Sequence, residues 1–70
     1  MKVYRIQMFV NGACIRDYNK RLENIYEELV MRAIRNQALI TKIKNGKKGW
    51  KLLYPLKQDG EKYTLIFELE

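Results

Sequence analysis

The chain has 70 residues, a net charge of +6, one cysteine and no histidine. A chain this short can bury only a small core, so a single domain over residues 1–70 is expected, with marginal stability. One cysteine excludes an intrachain disulfide, and the lack of histidine and of clustered cysteines excludes a zinc site of the usual kind.

Residues 3–10, VYRIQMFV, alternate Tyr4, Ile6, Met8 and Val10 onto one face and predict a first strand. Asn11-Gly12 follows, a dipeptide suited to the positive φ angles of a type I′ hairpin turn. The return strand is expected over 13–18. Its register would set Val10 against Ala13, Met8 against Ile15 and Gln7 against Arg16.

Asn19 is the expected helix N-cap, since its side chain can accept a hydrogen bond from an unpaired amide. Leu22, Ile25, Tyr26, Leu29, Val30, Ala33 and Ile34 then recur at spacings of three and four, which predicts one apolar helical stripe. Glu23, Glu27 and Glu28 near its start, with Arg32 and Arg35 near its end, suit the helix dipole. Glu28 and Arg32 also have i,i+4 spacing for an ion pair.

After Asn36 the period changes. Leu39, Thr41 and Ile43 alternate with Ile40, Lys42 and Lys44, so a third strand is preferred over continuation of the helix to about residue 44; β-branched Ile40-Thr41 weighs for the strand. A turn at Gly46-Lys47 would then pair Ile43 with Trp50, Thr41 with Leu52 and Leu39 with Tyr54.

The last third alternates most clearly, with Trp50, Leu52, Tyr54 and Leu56 answered by Tyr63, Leu65, Phe67 and Leu69. A type I′ turn at Asp59-Gly60 pairs Leu56 with Tyr63, Tyr54 with Leu65, Leu52 with Phe67 and Trp50 with Leu69, and brings Lys51 to Glu68. The expected fold is α+β and two-layered, in the order β-β-α-β-β-β. An antiparallel sheet of about five strands would carry one helix on one face. The opposite face would hold Ile40, Leu53 and Ile66 in a row, extended by Phe9 and Val3. Such a row is a candidate surface for a partner or a second copy.

Catalysis finds little support in the residue types. Serine and histidine are absent, which removes Ser-His-Asp and Cys-His nucleophile systems. Cys14 has no base beside it and reads as a small buried hydrophobe rather than a nucleophile. Glu23 and Glu27 read as dipole partners rather than as metal ligands, and G-K-K-G lacks the spacing of a phosphate-binding Walker loop. No enzymatic activity, cofactor or metal is expected. No apolar stretch is long enough to span a membrane and no secretory leader is seen. With the lone cysteine, this points to a cytoplasmic protein without a membrane partner.

The informative feature is where the charge lies. Residues 29–58 contain eight basic and no acidic side chains, so the remainder of the chain is slightly acidic. That field attracts polyanions or acidic protein surfaces. Lys42, Lys44, Lys47, Lys48 and Lys51, with Arg32 and Arg35 if the helix end lies alongside, form a candidate nucleic-acid-binding set. Being lysine-dominated, it favours phosphate over base recognition. Trp50 and Tyr54 are expected to face the core, out of reach of bases. A lysine-decorated turn that only keeps the edge soluble competes with this reading. So does a protein-binding role, as a phage or mobile-element-type inhibitor or adaptor acting on a host protein or nucleoprotein complex, for example an anti-CRISPR-like inhibitor. The expected partners are therefore nucleic acid, DNA or RNA, or an acidic or nucleic-acid-binding protein, with a homodimer compatible with either.

Overall fold

Alternation and turn chemistry produce five strands and one helix in the computed structural model, which describes residues 2–43, 49–55 and 59–70. In chain order these are β1 (Lys2–Val10), β2 (Ala13–Leu22), α1 (Ile25–Asn36), β3 (Leu39–Lys42), β4 (Gly49–Leu53) and β5 (Tyr63–Leu69). They form one antiparallel sheet in the spatial order β2-β1-β5-β4-β3, the α+β arrangement expected from the sequence. Because α1 links the two edge strands, it must cross the sheet. Its 12 residues span about 18 Å, close to the roughly 19 Å that separates the edges of a five-stranded sheet.

The first hairpin closes at Asn11-Gly12 with positive φ at both residues, 50° and 84°, and Val10 meets Ala13. Beyond that pair the register differs from expectation. Phe9 pairs with Cys14, Met8 with Arg16 and Gln7 with Asp17, so Ile15 bulges out of the ladder, and Cys14, on this edge strand, is exposed where burial was expected. The reason lies in what each register would bury. Without the bulge, Ile15, Asp17, Asn19 and Arg21 would share the face of Tyr4 and Ile6. With it, Tyr18 and Leu22 take that face and Asp17, Asn19 and Arg21 turn away, while Arg16 and Lys20 stay on it at the exposed edge of the sheet.

The bulge also carries β2 on to Leu22, so Asn19 lies within a strand and the cap is Asn24. Asn24 Oδ1 accepts hydrogen bonds from the amides of Tyr26 (3.0 Å) and Glu27 (3.3 Å). Gln37 ends the helix in the left-handed region, and the Ala38 amide bonds back to the Ala33 carbonyl. Leu22 thus reaches the core from a strand. Of the expected helical stripe only Leu29 is fully buried, while Ile25 and Ala33 pack at its margin and Tyr26, Val30 and Ile34 are exposed.

The two C-terminal hairpins are also offset. Leu52 pairs with Leu65 and Trp50 with Phe67, two residues from the expected pairing, so the same side chains still share a face. Lys51 opposes Ile66 and Gly49 opposes Glu68. Asp59-Gly60 is not a two-residue turn: only Gly60 has positive φ, and Asp59 Oδ1 accepts the Glu61 amide instead. Pairing stops where the Tyr54 amide meets the Tyr63 carbonyl, just before Pro55, which has no amide hydrogen to continue it. The expected Leu56–Tyr63 pair involves a residue outside the described ones.

Between β3 and β4 the offset is one residue, which reverses faces: Ile40 opposes Leu52 and Lys42 opposes Trp50. Ile40 and Lys42 therefore lie on the helix side, while Leu39 and Thr41 turn outward. The Ile43 amide donates to the Gly49 carbonyl. The expected Gly46-Lys47 turn lies outside the described residues. Tyr4, Ile6, Leu22, Leu29, Leu52, Leu65 and Phe67 form the core between helix and sheet.

Candidate nucleic-acid interface

The expected basic set does not gather on one face. Lys42 lies on the helix side, its ammonium 5.7 Å from the centroid of the Trp50 ring. Lys51 lies on the outer face between Thr41 and Ile66, where it joins Lys62, Phe9 and Thr64 around a shallow cavity of about 230 Å³. Among the described residues neither Lys42 nor Lys51 is in an ion pair. Lys44, Lys47 and Lys48 lie outside the described residues.

Arg32 has a different occupation. Its Nε donates to Glu28 Oε1 at 2.8 Å, and its guanidinium sits 5.4 Å from the Phe67 ring centroid. Burial opposes its charge, but the bond to Glu28 and the neighbouring Tyr18 hydroxyl hold it firmly protonated. The same enclosure pushes the Tyr54 hydroxyl upward in pKa, with burial the main cause. Arg32 is thus tied into the helix–sheet junction, whereas Arg35 stands exposed in the last helical turn.

The expected outer row is rearranged as well. Leu53 and Ile66 do face away from the helix, but Ile40 does not; Leu39 takes its place beside Leu53. Leu53 and Ile66 are half-buried, and Leu39 is 69% exposed. Elsewhere on this face Arg5 grips Asp17 through two hydrogen bonds of 3.0 and 2.6 Å, and the Arg5 bond holds the Asp17 carboxyl below its ordinary pKa.

What the fold assembles instead is a cavity of about 380 Å³ at the end of the sheet where the helix begins. β1 supplies Lys2 and Tyr4, α1 supplies Tyr26, β3 supplies Lys42 and β4 supplies Trp50. Tyr26 and Trp50 meet edge to face, with centroids 5.2 Å apart at 69°. No carboxylate lines the cavity. Ile43 and Gly49, between which the Lys44–Lys48 segment runs in sequence, both lie on its wall. Trp50 is thus a half-buried wall residue opposite Phe67, not a core anchor opposite Leu69.

Sequence reasoning missed Lys2 and Tyr26 here. Tyr26 was absorbed into the apolar stripe of the helix. Its position at the edge of that stripe, away from Leu29, is the one local signal that it could be exposed. Nothing local connects Lys2 to Lys42, since only sheet closure brings them together. Among the described residues no three cysteine, aspartate or glutamate side chains converge to hold a metal ion, and no helix is long and apolar enough to cross a membrane. No protein-family model, curated protein or solved structure matches this chain.

Proposed function

We propose that the chain is a non-catalytic module that binds nucleic acid mainly through backbone phosphates, using the lysine-rich hairpin of β3 and β4. The observation that carries this reading is the position of Lys42 and Lys51. They sit on opposite faces of one hairpin, each without a carboxylate partner among the described residues, beside a segment that adds three more lysines. Cations left unneutralised on both sides of a ribbon can follow a phosphate backbone without reading bases. The five lysines make up this set; Arg32, committed to Glu28, does not join it, and Arg35 stands exposed on the helix as a further cation outside the hairpin. A cytoplasmic setting, in which exposed Cys14 stays reduced, is part of the same proposal.

Five engaged phosphates give a slope of about −4 to −5 for log affinity against log salt on duplex DNA. Replacing Lys42 or Lys51 by alanine lowers that slope by roughly 0.9 each. Absence of binding to both DNA and RNA at low salt refutes the reading.

A second reading, an inhibitor or adaptor that docks on a protein, is favoured by a separate observation. Strand β3 is an edge, and by alternation Ile40 and Lys42 turn their amides and carbonyls outward. Leu39 on that strand is exposed, as are Val30 and Ile34 on the helix. An unpaired strand edge flanked by apolar side chains is the geometry of strand addition. Pull-down with wild type, Ile40→Pro, which removes an outward amide of the edge, and Leu53→Asp separates the edge from the outer face. Capture unchanged in both variants argues against either surface. Sedimentation as a monomer at tens of micromolar excludes a stable homodimer.

A further inference from the structure

We propose that the cavity between the start of α1 and the ends of β3 and β4 receives one unpaired base of a single-stranded nucleic acid. Tyr26 is the stacking surface, and Lys2 and Lys42 hold the adjoining phosphates. This rests on the nucleic-acid reading above and names the form of nucleic acid preferred.

The chemistry of the walls selects the ligand. Two lysines and the aromatic residues Tyr26 and Trp50 line it together, with buried Tyr4 at its base and no aspartate or glutamate, a combination suited to an anion that also carries a flat aromatic ring. At about 380 Å³ the cavity lies at the small end of the roughly 300–1,000 Å³ of small-ligand sites, which favours one ring system over a stacked run. Tyr26 is 60% exposed although it touches Trp50, so much of its ring is open to a further partner. Trp50 is half-buried with Lys42 beside its ring, which leaves Tyr26 as the platform.

The base must be unpaired, because both faces of a paired base are covered by its neighbours in a duplex. A strand suits the surroundings better than a free nucleotide. The two lysines on the cavity wall match the two phosphates that flank one base of a strand, where a mononucleotide offers one.

The protein has a single tryptophan, at a wall of the cavity, so its fluorescence reports occupancy directly. The test titrates the whole chain with four ligands at one low salt concentration. They are a 12-residue thymidine strand, an abasic strand of the same length and charge, a 12-base-pair duplex and thymidine monophosphate. The thymidine strand is expected to alter Trp50 emission and to bind about 5- to 150-fold more tightly than the abasic strand, the worth of one base–aromatic stack. Tyr26→Ala should abolish that preference, and Tyr26→Phe should keep it.

Equal binding of thymidine and abasic strands overturns the cavity proposal and leaves the phosphate reading standing. So does a preference untouched by Tyr26→Ala, an equal emission change with duplex, or saturation by the monophosphate at the affinity of the strand. Failure of all four ligands to bind removes the nucleic-acid reading itself, and this proposal with it. If Tyr26→Ala does not fold, as judged by circular dichroism, the wild-type comparison of thymidine with abasic strand decides.

Discussion

A Cβ added at Gly49 would lie 2.5 Å from the Phe67 carbonyl oxygen and 2.7 Å from Ile43 Cδ1. The first neighbour is backbone inside a paired strand and cannot step aside. Gly49→Ala should therefore cost about 1–3 kcal/mol by overpacking, read as a lower urea midpoint with an unchanged m-value. A variant as stable as wild type would show that β4 can move away from β5. Asp17 supports a prediction of another kind. Its folded pKa is depressed, mainly by the hydrogen bond from Arg5, so the pair favours folding above the unfolded aspartate value near 3.9. That contribution disappears as pH falls through the lower, folded value. A carboxyl NMR titration should give Asp17 a midpoint below 3.9 that rises in Arg5→Ala. A midpoint that does not move would mean the bridge is not held in solution.

At the scale of elements, the bulge at Ile15 and the cap at Asn24 are one event. Inserting a residue into β2 selects Tyr18 and Leu22 for the core, lengthens the strand and moves the helix start five residues beyond the first plausible cap. Asn24→Ala should destabilise the fold by about 1 kcal/mol, because two amides of the first turn lose their acceptor. Asn19→Ala, in the solvent-facing part of β2, should stay within about 0.5 kcal/mol. Thermal melts of the two variants distinguish these positions, and equal losses would contradict the assignment of the cap. The helix itself is lightly anchored. Leu29 is its only fully buried residue, with Arg32 held by Glu28 and resting over Phe67. Polar anchoring at this junction leaves Tyr26, Val30 and Ile34 outside the core, available to other partners.

For the whole molecule, the strands and helix meet at Phe67. It pairs with Ile6 on one side and Trp50 on the other, and is fully buried. Phe67→Ala should cost about 3–5 kcal/mol. A domain of this length holds roughly 3.5–10 kcal/mol in total, so the variant should be largely unfolded at 37 °C by circular dichroism. Retention of a cooperative melt near the wild-type temperature would mean that the core closes over the void. The charge pattern acts at the same scale. All eight acidic side chains lie outside residues 29–58, and among the described residues neither Lys42 nor Lys51 is in an ion pair, so a local excess of positive charge lies along β3 and β4.

Alternation in residues 3–10 and 63–69, the three-and-four spacing around Leu29 and the Asn11-Gly12 turn were enough to determine the five strands, the single helix, their order and the faces of β1, β4 and β5. These are local properties, each set by side-chain periodicity or by the φ angles a dipeptide tolerates. Registers were less legible. The β1–β2, β3–β4 and β4–β5 offsets of one or two residues depend on which side chains reach the shared core, a choice made between strands and not within one. The β3 offset shows the consequence: one residue of slip carried Lys42 to the helix side and Leu39 to the outside. The basic stretch itself could be read directly, but its division over two faces could not. The cavity of Lys2, Tyr26, Lys42 and Trp50 was illegible for the same reason. Its walls come from five elements separated along the chain, and only packing of the helix across the sheet places two lysines and the rings around one opening.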